Sequence, residues 1–421
     1  MSVKRLLLVI AIACSPAVVR SASVLIPMDK SQTDHLKAYG IVFKSLEKSY
    51  KAEWLLNYRG GSFLLDNAEE IVNMCLLAGV SYEQITSGQE ADIYRQIEVE
   101  NMERVDLEKA PRIAVYAPPH NEPWDDAVTL ALAYAEIKYD LIYDEEVLGG
   151  ALDEYDWLHC HHEDFTGQYG KFYGAFRNQL WYQAEVRANE DLARRLGYSK
   201  VSQLKLDVAK AVYEYVRRGG FLFSMCSAPE TIDIGLAAEG VDIVPSEFDG
   251  DPVDPGAQER LDFSRTFAFE NFTVTFDPML YAHSNIDTFR DRMARFPSQQ
   301  EDYFFLFDFA AKLDPVPTML VQNHVASIDG FMGQTTAFRK SLLKKFVIAL
   351  AQPDNFDEVR YVHGNLGHGT FTFLSGHDPE DYQHMVHDPP TELTLHKNSP
   401  GYRLILNNVL FPAAKRKERK T

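Results

Sequence analysis

The stretch Phe221-Leu222-Phe223-Ser224-Met225-Cys226-Ser227-Ala228-Pro229-Glu230, continuing as TIDIGLAAEG to Gly240, has the grammar of a strand, a sharp turn and a helix. FLFSM suits a strand buried on both faces, and Pro229 suits the first helical turn, where a backbone N–H has no partner to lose. Upstream, residues 205–217 carry a helical pattern that Gly219-Gly220 ends. A helix that feeds a buried strand that feeds a helix is one unit of a parallel, doubly wound sheet. Functional groups in such sheets collect at the carboxyl ends of the strands. Cys226 stands at such an end.

The same alternation extends in both directions. PRIAVYAP (residues 111–118) reads as a buried strand, Pro123 and Asp125 open a helix to about residue 137, and YDLIYD and YDWLHCHH follow as strands. Near the far end, HGNLGHG introduces the strand TFTFLSG, then the polar loop His377-Asp378-Pro379-Glu380 and a closing helix GYRLILNNVLF. Between about 248 and 305 the pattern loosens, as expected of an insertion. Residues 24–105 predict a smaller unit: a strand at 24–28, a helix over 35–50, the strand-like AEWLLNYRGG, a helix over 67–78, and SYEQI. The charged segment from 98 to 111 divides the two. The expectation is an α/β protein, a flavodoxin-like doubly wound domain over 106–412 behind a smaller N-terminal α/β unit, with a basic tail at 413–421.

At 421 residues with 46% apolar content the chain can bury a large core. Lys4 and Arg5, the run LLLVIAIA and small residues up to Ser23 read as an export signal removed near 22–24; the run is too short to span a bilayer. A lipobox ending at Cys14 is the alternative. A net charge of −19 argues against a nucleic-acid partner, and the terminal KRKERKT reads as a solvated end. Cys75, Cys160 and Cys226 are too few and too far apart for a disulfide framework.

Several residues carry chemistry. In YDWLHCHHED (155–164), strand alternation puts His159 and His161 on one face and Cys160 and His162 on the other, so the four cannot converge without a bulge. His161 or His162 with Glu163 or Asp164 makes a set compatible with a divalent metal; the alternative is hydrogen bonding within the loop. Cys226, at the amino end of a helix, is either an activated nucleophile or a core cysteine. His377 is its natural base, oriented by Glu380 or Asp378, or else a loop brace. Arg59, in NYRGGS, offers an anion site or simply marks a turn. Trp157 and the acids of HHED are expected to line the cleft.

Residues 111–412 resemble class I glutamine amidotransferase-like domains, including the ThuA-like branch, through RRGGFLF, MCSAP and GHGTFTFLSGHD. The resemblance implies Cys226 as nucleophile, His377 as base and Glu380 as orienting acid. Ser224 and Ala228 stand where that family has glycines, His377 and Glu380 are three residues apart where the family has two, and HHED stands where it has a Gly-Gly-Pro oxyanion loop. Nearly the whole chain after the signal is also similar to exported bacterial proteins labelled asparagine synthetase B, through LLNYRGGSF, HHEDFTGQYGKFY, GFMGQTTAFRK and GHDPEDYQH. The sequence carries no SGGxDS pyrophosphate loop, and residue 2 is Ser2 rather than a cysteine. Two functions are therefore expected: an exported cysteine-dependent hydrolase or amidotransferase-like enzyme, or a non-catalytic envelope protein binding a carbohydrate or cell-wall fragment.

Overall fold

The computed structural model describes residues 21–120, 122–288, 302–354 and 356–414. The export signal with Lys4, Arg5 and Cys14, residues 289–301 of the expected insertion, and tail residues 415–421 lie outside the described residues. Among those described, no helix is long and apolar enough to cross a membrane.

Five strands, β1 (Ser21–Ile26), β2 (Ala52–Leu56), β3 (Ser62–Asp66), β4 (Glu83–Thr86) and β5 (Glu103–Leu107), form a first sheet in the order β4-β1-β3-β2-β5. Every pairing in it is antiparallel. Reading AEWLLNYRGG as one strand missed a turn: Asn57 and Gly61 have φ of 61° and 85° and return β2 directly onto β3. Such a short loop can join only antiparallel neighbours. The charged segment expected as a break contains β5, whose Val105 and Leu107 point inward while Arg104 and Asp106 face water.

The chain continues through β6 (Ile113–Tyr116), β7 (Asp140–Ile142), β8 (Trp157–Cys160), β9 (Phe221–Met225), β10 (Tyr303–Leu306), β11 (Ser327–Asp329), β12 (Phe338–Arg339), β13 (Ile348–Gln352), β14 (Glu358–Val359), β15 (Tyr361–Leu366) and β16 (Gly369–Leu374). β12 pairs with β14; the other nine form a sheet ordered β11-β10-β13-β15-β16-β9-β8-β6-β7. β7, β6, β8, β9 and β16 run parallel. The four beyond β16 are antiparallel, so the α/β class stands and a wholly parallel sheet does not. Gly367, at φ 60°, opens a turn of two residues between β15 and β16, which permits only a hairpin. Numbered along the chain, the parallel strands lie in the order 2-1-3-4-5.

Helices cover both faces of this sheet. Val201–Arg218 and Ala228–Ala237 pack on one; Ala127–Tyr134 and Pro400–Leu410 pack on the other. The last helix is buried from Gly401 to Leu410 and touches helices Ala127–Tyr134 and His35–Glu47. Through it, Trp54 of β2 and Trp157 of β8 share one core with Tyr402. Arg403, fully buried there, donates to the Met28 carbonyl at 2.8 Å, to the Tyr39 hydroxyl at 3.2 Å and to the Gly60 carbonyl. The two units are therefore joined by polar as well as apolar contacts.

His363 gives this core a pH dependence. It is buried on β15, with Nδ1 3.1 Å from the Thr372 hydroxyl across the hairpin, and burial pulls its imidazole down to about 4. An unfolded histidine titrates near ~6.5. As pH falls through that window the unfolded chain takes up a proton that the fold refuses. The stability is complete above ~6.5 and is lost by the folded value, to roughly 3 kcal/mol. Urea midpoints should therefore fall on acidification from pH ~7 to ~4, and fall less in His363→Gln; equal slopes in the two proteins would contradict this.

Candidate functional site

Parallel pairing brings the strand ends level: Tyr116 lies beside Cys160, Cys160 beside Ser224, and Met225 beside Leu374. The loops after β6, β8, β9 and β16 leave the same edge together, where a doubly wound sheet presents its ligand. They carry Glu122, Trp124, Asp125 and Asp126; His161 and His162; Cys226; and His377.

Asp126 organises one side. Its carboxylate caps helix Ala127–Tyr134, accepting from the N–H groups of Val128 at 2.7 Å and Thr129 at 3.1 Å. It also lies 3.4 Å from His159 Nε2 and 3.5 Å from His161 Nδ1. Burial alone would raise this carboxyl, but the His161 and His159 rings and the hydrogen bond from His159 hold it well below the usual range. The two rings meet at 3.2 Å, and His159 Nδ1 faces the Phe223 carbonyl at 3.0 Å. His159 and His161 thus share a face, as alternation predicted.

β8 ends at Cys160, so His162 is free to turn toward its neighbours. Its Nε2 pairs with the Glu122 carboxylate. Burial would lower the imidazole, but the charge and hydrogen bond of Glu122 lift it to about 10. His377 stacks on His384 at 4.0 Å and meets His161 edge-on at 4.5 Å. His384 in turn lies 2.9 Å from Asp381 and 3.3 Å from Asp125. Burial pushes His161 and His377 well below the ordinary histidine range, which keeps both neutral. His161 Nε2, His162 Nδ1 and both nitrogens of His377 are buried without a hydrogen-bond partner.

These groups back a cavity of about 390 Å³ whose wall includes Trp124, Phe172, Tyr281, Met332, His162, His377 and Cys226. Cys226 has φ 52°, a left-handed conformation rare for a side-chain-bearing residue, and its N–H donates to the Gly376 carbonyl at 3.1 Å. The sharp elbow is therefore present. Its thiol is not activated: burial pushes it up to about 12, against the opposing pull of the Gln334, Ser227 and Thr335 N–H groups.

The expected triad does not assemble. His377 makes no hydrogen bond to Cys226, because neither of its ring nitrogens has a partner. An Asp378–Asp381 bridge folds the loop back on itself, and neither Asp378 nor Glu380 hydrogen-bonds to His377. Glu380 pairs with His396 at 2.8 Å, and Asp378 accepts from the Tyr402 hydroxyl at 2.7 Å and the Glu380 N–H at 2.8 Å. The expected metal partners are also committed elsewhere. Glu163 accepts the His161 N–H at 2.9 Å, and burial lifts it to about 7. Asp164 clamps its own loop, accepting from the N–H groups of Thr166, Gln168 and Gly170 and lying 3.2 Å from His283.

Two expected ligand contacts move as well. Trp157 is buried in the core, stacked on His159 and Phe223, because it precedes the strand end by three residues. Arg59 belongs to the first sheet, ion-paired with Asp29 at 2.7 Å and Glu83 at 2.8 Å. Sequence reading missed Glu122, Trp124, Asp125, Asp126 and His384. EPWDD lies in the loop that follows the buried parallel strand β6, and that position is the signal that would have found four of them.

Among the described residues, four groups offer metal-ligand atoms within 4.8 Å of one another. They are His161, His162 and His377; Asp126, His159 and His161; Asp381, His384 and Asp388; and Asp242, Asp249 and Asp251. Lys200 already occupies the last group, within 3.0 Å of all three acids.

No known family model matches the chain, and no curated protein does. Among solved structures it is similar to Cytoplasmic Protein STM3548 from Salmonella typhimurium, at 8% identity and TM-score 0.36 over 73% of this chain and 100% of that one. Cytoplasmic Protein STM1381 from Salmonella typhimurium LT2 gives 12% identity and TM-score 0.33 over 72% and 99%. Exo-beta-1,4-mannosidase Op5Man5 from Opitutaceae bacterium strain TAV5 gives 11% and 0.26 over 69% and 35%. Likenesses this loose bear on neither the activity nor the site.

The buried, protonated Cys226 thiol makes a direct prediction. Iodoacetamide at neutral pH should alkylate it more slowly than a free peptide cysteine, read by mass spectrometry of the Cys226 peptide. Labelling faster than the peptide would show an activated thiolate.

Proposed function

We propose that the protein is a hydrolase of small molecules, working in the cavity above β8, β9 and β16 on a flavodoxin-like, amidotransferase-like scaffold. The 2-1-3-4-5 order of the parallel strands supports that scaffold. The observation that carries the hydrolase reading is the pairing of opposite chemistries on one cavity. The neutral His377 imidazole, which lines the cavity, can take a proton from water. The backbone N–H groups of Ser227, Gln334 and Thr335, gathered around the Cys226 thiol that lines the same cavity, can receive a developing oxyanion. The aromatic wall of Trp124, Phe172 and Tyr281 suits a substrate with an apolar or ring face, such as a sugar or cell-wall fragment. Action outside the cytoplasm, after removal of the leading residues, is part of the same reading.

A second reading, ligand binding without turnover, is favoured by the protonated thiol and by that aromatic wall. A panel of nitrophenyl esters, amides and glycosides, with glutamine and muropeptides, separates the two. Turnover is expected with at least one class, falling by about a hundredfold or more in His377→Ala but less than about tenfold in Cys226→Ser, since each step of tenfold is only ~1.4 kcal/mol of barrier. Loss in Cys226→Ser would restore the cysteine as nucleophile. Thermal shifts with sugars or muropeptides and no turnover would favour binding alone.

A further inference from the structure

We infer that His161, His162 and His377 bind a divalent transition-metal ion of the borderline-soft kind that favours imidazole nitrogen, zinc being the best match. The site is distinct from the histidine-carboxylate pair read from sequence, because its third ligand comes from the loop after β16, more than two hundred residues away.

Three independent features meet here. One nitrogen from each ring lies within 4.8 Å of one from each of the others. Nitrogens held tetrahedrally at about 2.0–2.1 Å from zinc stand about 3.4 Å apart, so the rings need only a small inward movement. Secondly, the nitrogens that remain for a ligand, His161 Nε2, His162 Nδ1 and those of His377, are buried without hydrogen-bond partners. An imidazole nitrogen in that condition has lost water and gained nothing, unless an ion takes its lone pair.

Thirdly, the other nitrogen of two of the rings faces a carboxylate, His161 Nδ1 doing so beside its 3.2 Å hydrogen bond with His159 Nε2. His161 Nδ1 lies 3.5 Å from Asp126, and His162 Nε2 pairs with Glu122. A carboxylate behind a ligating histidine fixes the ring and raises its basicity, the usual outer arrangement of a metal centre. The competing trio of Asp126, His159 and His161 lacks this property, because its nitrogens are already spent on one another and on the Phe223 carbonyl. The three imidazole nitrogens, with His162 giving up its Nδ1 proton to ligate, would leave a zinc coordination position for water or substrate, and His162 and His377 both line the cavity. Binding of the ion does not require the hydrolase reading: it holds even for a protein that turns nothing over, and in the metal-bound form the lone pair of His377 is not available for the base role of that reading.

The test uses the full chain, stripped with dipicolinate and titrated with Zn²⁺ by calorimetry and with Co²⁺ by visible absorption. One ion per chain should bind, and the Co²⁺ form should show the intense visible bands of a four-coordinate, nitrogen-rich centre. His161→Ala and His377→Ala should each weaken binding by more than the roughly tenfold that even an outer-shell change costs, with circular dichroism confirming that both fold. If either variant is unfolded, Glu122→Gln and Asp126→Asn, which leave all three rings in place, should weaken binding by about ten- to a hundredfold instead. Absence of binding by the parent protein, or affinity unchanged in the histidine variants and lost in Asp249→Asn, would overturn the inference. Metal binding without turnover of any panel substrate would leave the site standing and remove only the hydrolase reading.

Discussion

The Asp126 carboxylate is the contact on which the rest of the site depends. A buried carboxylate is costly unless its oxygens are satisfied, and this one is satisfied from two directions. The helix Ala127–Tyr134 supplies the Val128 and Thr129 N–H groups, β8 supplies the His159 ring, and the residue just past its end supplies the His161 ring. That helix packs against His35–Glu47 and Pro400–Leu410. Gly40 of the first of these helices has no room for a Cβ, which would lie 1.9 Å from the Ala135 carbonyl oxygen. The small first unit therefore sets the position of the loop that carries the acids.

From this anchor the histidines spread in a graded way. Those at the flanks are charge-paired: His162 with Glu122, and His384 with Asp125 and Asp381. His161 and His377, at the centre, are neutral and present bare nitrogens. A buried polar atom left unpaired costs about 1–3 kcal/mol, so four of them in one spot oppose folding appreciably. Proteins keep such groups where function, rather than stability, selects them.

Much of the frame was legible from local pattern. The strand-turn-helix at 221–240, the strands at 113–116, 140–142 and 157–160, and the closing helix all follow from hydrophobic period and from Gly and Pro placement. The antiparallel half was not, because strand direction is fixed by turn geometry more than by composition. Within the site, alternation correctly put His159 beside His161. It could not say that β8 stops at Cys160, which is what lets His162 join His161. The pairing of His377 with both, and the diversion of Glu380 to His396, depend on how two distant loops fold over one edge. No spacing in the sequence encodes that. The strand-turn-helix pattern placed the sharp turn at Cys226, whereas the acids expected beside His377 are bound to other partners.

Two loops converge three imidazoles on one point. Anomalous diffraction at the zinc edge, from crystals grown with Zn²⁺, tests it most directly. A single strong peak should appear, bounded by His161 Nε2, His162 Nδ1 and a nitrogen of His377. A peak among other residues, or these nitrogens hydrogen-bonded to ordinary waters in zinc-saturated crystals, would contradict it.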